Sequence, residues 1–409
     1  MRVLSRLFSG NGARSGLHMA IEVVPEGVRG LIFESLPMGA VRVIKKMVFE
    51  TADGSDISLM PLENPQIRRI AVVLHEIIFQ AVRRVGVIPY IAIGIGGFRD
   101  VTTFSFLSVK VPHGEKSIPA AKIEEYFTHA VEDAYGVKSS WQAFPAGILA
   151  NGYPVDMNIL ASRDGRTVKE LTFPSVVMKF PPELAECFQG VISRWSGLAF
   201  ECVPLEVPIH YTLTRALALN ETLCVFLDRA YTLLILVQEG RLSFFVSFAY
   251  GSDEMARSIG RAKGISFQDA RRRMIEYTQK VEMTPQEHAG MAEALLEAVE
   301  TWKKRFLDAL EWFYRYGPIP EDIIVSGDGA RIYEVRAVLE RTDWIHNYSS
   351  VQQPRIRIVG SQTLFEGNSL SGALHGPEDF ALASLAAYSL QHQKVFENRL
   401  GMETLTLFL

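Results

Sequence analysis

Short apolar runs bounded by glycine and proline alternate along this chain with longer stretches whose apolar residues recur at helical spacing. Three runs come first, Met19–Val24, Val28–Phe33 and Val41–Phe49, separated by Pro25-Glu26-Gly27 and Pro37-Met38-Gly39. This pattern predicts a three-stranded antiparallel meander. Asn64-Pro65 then opens a helix with Ile70, Val73, Leu74, Ile77, Ala81 and Val82 on one face, and Tyr90–Ile95 reads as a buried strand ending at Gly96-Gly97. From Phe98 to about Asp156 the texture changes. Val101–Val111 alternates like a strand, Ile118-Pro119 opens a helix carrying Ile123, Phe127 and Val131, and Phe144–Leu149 leads into Asn151-Gly152-Tyr153-Pro154. A strand–helix–strand unit of this size is the expected form of a small inserted subdomain. The main layer is expected to resume with Val168–Phe180, followed by a helix from Pro181-Pro182 carrying Leu184, Phe188, Val191, Ile192 and Trp195, and a strand at Leu198–Pro204.

The second half begins again with strands. Leu223–Leu227 and Thr232–Val237 flank a tight turn, and Glu239-Gly240 turns into Leu242–Phe248. Ser266 and Asp269 form a capping box for a helix through Tyr277. Leu295, Val299, Trp302, Phe306, Leu310 and Phe313 mark one face of a long amphipathic helix. Ile323–Val325 is a strand running into Ser326-Gly327-Asp328-Gly329-Ala330, and the last helix starts at Gly376-Pro377 and passes Leu390. No repeat is visible residue by residue, yet both halves open with strand hairpins followed by helices.

Composition narrows the function classes. A chain of 409 residues is too long for one core, so two or three packed units are expected. Apolar residues make up 48% and charged residues 22%, and the net charge of −4 gives no reason to expect a nucleic-acid partner. The basic triplets Arg271-Arg272-Arg273 and Lys303-Lys304-Arg305 read as solvated helix faces. Cys187, Cys202 and Cys224 have no metal-ligand spacing and fit a reducing cytoplasm. No apolar run approaches the ~18 residues of a spanning helix, so membrane contact is expected to be peripheral or through a partner. Val3, Leu4, Leu7 and Phe8 share a helical face beside Arg2 and Arg6, a pattern suited to anionic lipid. Two motifs are set aside. Gly94-Ile95-Gly96-Gly97 lacks the helix a dinucleotide turn requires, and His75-Glu76 lacks a second histidine because position 79 is Phe79.

The order of residues in the second half carries more information. Asp228 ends a strand, a tight turn leads to Thr232, Gly251-Ser252 precede a helix, and an apolar strand runs into Ser326-Gly327-Asp328-Gly329-Ala330. This order resembles the actin/Hsp70/FtsA superfamily, and most nearly its FtsA and PilM members. The resemblance implies an α/β, two-lobed actin-like (ribonuclease H-like) fold with a small SHS2-like α/β subdomain inserted in the first lobe. Residues 1–18 would then form a flexible arm, 19–97 and 168–222 the first lobe, 98–167 the insertion, 223–375 the second lobe, and 376–409 a closing helix and tail.

The resemblance also implies a site for ATP and Mg²⁺. Asp228 would hold the metal. Glu22, Asp228, Arg229, Thr232, Gly251 and Ser252 would border the phosphates, and Ser326, Gly327, Gly329 and Ala330 would receive the adenosine. Backbone amides cradle phosphate only where no side chain blocks approach, which is why glycine matters in such turns. This chain departs from the pattern. Glu22 stands where the family has Asp in the first hairpin, no glycine follows until Gly27, and Asp228-Arg229-Ala230-Tyr231-Thr232 lacks glycine altogether. Weak Mg²⁺-dependent binding and very slow or absent turnover are the corresponding expectations, so the chain is at most a degenerate ATPase. The implied role is an FtsA-like scaffold in bacterial cell division, cytoplasmic at the inner face of the membrane, meeting protein partners through the insertion and self-associating. The alternative is a PilM-like role, capping the inner-membrane platform of type IV pili by gripping a short peptide tail. A sugar or acetate kinase on the same fold would need substrate loops where the insertion lies.

Overall fold

The computed structural model describes residues 16–36, 41–50, 64–86, 88, 90–98, 101–136, 141–155, 160, 167–179, 188, 190, 191, 199–281, 283–348, 353–364, 374 and 376–400. The N-terminal octet, Cys187, most of the helix expected from Pro181 and the tail after Leu400 lie outside the described residues.

The meander forms as its turns predict. Strands β1 (Gly16–Val24), β2 (Gly27–Ser35) and β3 (Val41–Glu50) pair antiparallel in sequence, while β4 (Tyr90–Ile95) pairs parallel with β1. After helix α1 (Asn64–Val85) and the segment that follows β4, the chain returns as β10 (Ala199–Pro204), parallel to β4. The first sheet is therefore ordered β10-β4-β1-β2-β3. The second half repeats this order. Strands β11 (Thr222–Leu227), β12 (Thr232–Gln238) and β13 (Arg241–Phe248) form the meander, and β14 (Asp322–Ser326) and β15 (Arg355–Ile358) add in parallel, giving β13-β12-β11-β14-β15. The repeat absent from the residues is thus present in the topology: two lobes with one strand plan.

Strand alternation sorts each sheet's side chains between two cores. From the first sheet, Met19, Ile21, Val23, Ile91 and Ile93 pack with Leu74, Ile77 and Ile78 of α1, whereas Ala20, Val24, Leu31, Phe33 and Ala92 face the other way. From the second, Leu223, Val225 and Leu227 pack with helices α4 (Ser252–Lys263), α5 (Phe267–Thr278) and α6 (Pro285–Tyr314), and Cys224, Phe226, Leu233 and Ile235 face inward. Between the sheets lie α3 (Glu206–Tyr211) and the last helix, α8 (Phe380–Leu400), whose residues Phe380–Ala387 are all buried. Helix α7 (Tyr333–Glu340) completes the second core. The lobes therefore share a central apolar layer built on α3 and α8, and a helix apolar around its circumference is expected there.

A third sheet lies between β4 and β10 in sequence. Strand β5 (Thr102–Glu115) pairs antiparallel with β9 (Val168–Lys179), which also pairs with β6 (Trp141–Pro145) and β7 (Leu149–Ala150), and β8 (Tyr153–Pro154) pairs with β7. Helix α2 (Ala120–Tyr135) packs on it through Ile123, Tyr126 and Ala130. This corrects two expectations. Val168–Phe180 was expected in the main layer, but its register, Thr102↔Met178 to Lys110↔Glu170, puts it in the third sheet. Its fully buried stretch Phe173–Met178 explains the misreading, because Val176 reaches the central core and Met178 the core of the first lobe while Val177 stays in the third. The single strand expected at Phe144–Leu149 is two strands interrupted after Pro145. Helices α3 and α7 and strand β15 were not anticipated.

Trp302 anchors the second lobe. It is fully buried, its indole N–H donates to Thr232 Oγ1 at 3.0 Å, and it stacks on Phe306 with centroids 5.1 Å apart. Trp302→Ala is expected to cost about 3–5 kcal/mol in urea unfolding. A cost below about 1 kcal/mol, the range of a surface change, would contradict this packing.

Candidate functional site

Where the two hairpins meet, the lobes present charged side chains to each other. The turn at Pro25-Glu26 fixes the pairing Glu22↔Arg29 across β1 and β2. Arg29 Nη2 donates to Glu22 Oε1 at 2.6 Å and lies 3.5 Å from Asp228 Oδ2, while Nη1 donates to the Glu378 carbonyl at 2.7 Å. One guanidinium thus joins the first-lobe hairpin, the end of β11 and the turn that opens α8. Burial works against the charge of Arg29, but the carboxylates of Glu22 and Asp228 outweigh it and hold the guanidinium firmly protonated.

The carboxylates here are raised in pKa, chiefly by burial and against the pull of Arg29. Burial pushes Glu22 up to about 7 against the opposing pull of Arg29, with Asp228 adding to the rise. Burial likewise pushes Glu26 up to about 8, and both its carboxylate oxygens are enclosed without a hydrogen-bond partner. Asp228, fully buried at the strand end, is also raised, chiefly by burial.

A second chain of charges runs outward from the Asp228–Tyr231 turn. Arg229 pairs with Glu50 on β3 at 2.7 Å and with Asp253 on α4 at 3.2 Å. Arg271 on α5 also pairs with Asp253 and lies 3.8 Å from Asp328, which in turn accepts from the Ser252 hydroxyl. The solvated-face reading of the arginine triplet therefore holds for Arg272, whose side chain is 64% exposed, and fails for Arg271 at 15%. Lys46 on β3 closes a further link to Asp379 at 2.6 Å.

The backbone of the expected phosphate and adenosine turns is equally engaged. Asp228 N–H donates to the Tyr231 carbonyl at 2.9 Å. At the N-terminus of α4, the Ser252 and Asp253 amides donate to the Asp228 and Arg229 carbonyls at 3.0 and 2.9 Å. Gly251 permits this approach, since a Cβ there would stand 2.2 Å from the Arg229 carbonyl oxygen. Thr232 turns inward, its hydroxyl donating to the Tyr250 carbonyl at 2.6 Å. Ser326 Oγ donates to the Val359 carbonyl at 2.7 Å, and Gly327 N–H to the Pro377 carbonyl at 3.0 Å. Gly327 adopts φ 92°, and a Cβ on it would meet the Leu227 carbonyl oxygen at 2.3 Å. Gly329 is packed against the Leu227 side chain, and buried Ala330 closes the turn by donating to the Gly327 carbonyl at 3.2 Å. Gly97, from the motif set aside above, accommodates the Tyr231 ring, 2.6 Å from where its Cβ would be.

The ten candidate residues thus divide. Asp228, Arg229, Thr232, Gly251, Ser252, Ser326, Gly327, Gly329 and Ala330 converge around the end of β11, and Glu22 reaches them from the first lobe through Arg29. As arranged, they do not fit Mg·ATP. The amides a phosphate would use at a helix N-terminus are taken by hairpin carbonyls, and the carboxylate proposed for the metal faces a guanidinium. Among the described residues no group of three or more His, Cys, Asp or Glu is placed to hold a metal ion. The residues that the sequence reading missed are Arg29, Glu26, Lys46, Asp253, Arg271 and Asp379. Arg29 had a findable signal: a turn at Pro25-Glu26 sets two opposite charges of a largely apolar hairpin, Glu22 and Arg29, directly across from one another.

With this geometry in view, the fold is an actin-like one: two lobes of one strand order, joined by the apolar layer of α3 and α8 and by the charged hairpins. No protein-family model matches the sequence, and no curated protein matches it. A chain of the PilM–PilN type IV pilus biogenesis complex superposes with a TM-score of 0.62 at 14% identity, covering 93% of this chain and 99% of that one. Looser likenesses are the MamK double helical filament, at TM-score 0.48, 11% identity and 91% and 98% coverage, and the ethanolamine utilization protein EutJ from Carboxydothermus hydrogenoformans, at 0.43, 9%, and 92% and 90%. Among the described residues no helix is long and apolar enough to cross a membrane.

The buried carboxylates set a pH dependence. A carboxyl whose folded pKa is raised binds more protons folded than unfolded, so its contribution is present below the ordinary value of 4.5 and is lost as pH rises through about 7 for Glu22 and about 8 for Glu26. The buried histidines His18 and His210, lowered to about 4, exert their effect only below pH 6.5. Melting temperature is therefore expected to fall between about pH 6.5 and 8.5, and Glu26→Gln to flatten that fall. An equal slope in the variant would contradict the assignment.

Proposed function

We propose that this chain is an actin-fold scaffold of the PilM kind, which works by holding a membrane-associated machine through protein contacts. The observation that carries this reading is the superposition on the PilM–PilN chain, which runs the length of both molecules. The third sheet, lying in sequence between two adjacent strands of the first lobe, is read as an SHS2-like insertion and as a surface for protein partners, self-association included. ATP and Mg²⁺ are held weakly at most, and turnover is very slow or absent, because the turns that would grip them are bonded to one another. The site of action is the cytoplasm, at the inner face of the membrane. A division role of the FtsA type would use the same fold.

Deleting the gene separates the two roles. The expected result is loss of surface pili, seen by electron microscopy, with cell length unchanged. Long undivided cells that retain their pili would overturn the pilus reading in favour of division.

A further inference from the structure

We propose that Arg29 is the chain's own counter-ion for the interlobe cleft, tying the lobes together where a metal–nucleotide complex would otherwise be needed to do so. The inference rests on the cleft being a structural joint, as the scaffold reading requires, and it goes further by naming what closes the joint.

Three observations converge. Arg29 is held by groups from three parts of the chain at once: Glu22 on the facing strand, Asp228 at the end of β11 and the Glu378 carbonyl before α8. A planar guanidinium carries five N–H donors in a fixed fork and can serve these directions together, which a lysine ammonium cannot match in geometry. Its side chain is only 14% exposed, and those of Glu22 and Asp228 are fully buried, so water screens these interactions little. Finally, the amides that a phosphate would recruit at Ser252 and Asp253, and that of Gly327 in the expected adenosine turn, are already paired within the protein. The cross-lobe pair Arg229–Glu50, and the link from Lys46 to Asp379 in the turn before α8, flank this tie. Glu50 is 57% exposed, so the Arg229 link contributes less than the buried one.

The alternative, that nucleotide closes the cleft by displacing Arg29, predicts different behaviour, and the full chain can distinguish them. Radius of gyration from X-ray scattering and melting temperature would be recorded for wild type, Arg29→Gln and Asp228→Asn, with and without millimolar Mg²⁺ and ATP. The proposal expects wild type to be unmoved in both quantities by Mg·ATP. It expects Asp228→Asn, which keeps the Arg29–Glu22 pair within the first lobe, to fold with a larger radius, and Arg29→Gln to melt several degrees lower. Compaction or a clear thermal gain of wild type on adding Mg·ATP would overturn it, as would an Asp228→Asn radius equal to wild type. If Arg29→Gln fails to fold, the wild-type and Asp228→Asn arms still decide. Neither outcome depends on the pilus role, which the deletion phenotype tests separately.

Discussion

A buried guanidinium between two carboxylates from different lobes constrains everything around it. Removing one partner of such a pair strands the other charge and typically costs about 3–5 kcal/mol, whereas replacing the whole group with apolar residues is often neutral. Its value therefore lies in specifying geometry: Arg29 meets Glu22, Asp228 and the Glu378 carbonyl together only when the two hairpins and the turn before α8 are in register. Further links follow from that placement. Gly251 brings the start of α4 onto the Asp228 turn, and Arg271 ties α5 to Asp253 on α4 and toward Asp328 in the β14 turn. The third sheet adds an apolar clamp. Phe104 lies edge-on to Phe244 and Phe245 of β13 at 5.7 and 6.0 Å, and Phe106 stacks on Tyr316 at 6.2 Å. A segment that leaves from the first lobe is thereby pinned to the second.

Much of the fold was legible because the two periodicities were clean. Each meander strand, α1 and the buried face of α6 followed from apolar spacing and from turns such as Glu239-Gly240, where Glu239 and Gly240 take φ of 51° and 70°. What was illegible has a physical cause in each case. Strand β9 carries a partly exposed N-terminal half and a fully buried run from Phe173 to Met178, so its composition resembled a central strand of the main sheet. Short helices such as α3, with six residues, offer too little periodicity to recognise.

For the site, residue types and order identified the ring of turns from Asp228 to Ala330, because glycines at close backbone approaches are conspicuous in sequence. Their partners were not conspicuous. Arg271 looked like one of three solvated arginines, and only the tertiary structure places it between Asp253 and Asp328. Lys46 and Asp379 are separated by most of the chain and signal nothing until α8 folds back between the sheets. Functional inference from order alone therefore grouped these turns and left open what they hold.

Amide hydrogen exchange at the cleft reads the central claim most directly. The account predicts that in nucleotide-free protein the amides of Ser252, Asp253 and Gly327 exchange slowly, because each donates to a carbonyl of the protein itself, and that Mg·ATP leaves their rates unchanged. Fast exchange that becomes slow only when Mg·ATP is added would contradict it, since those amides would then be held for the nucleotide and not for the joint.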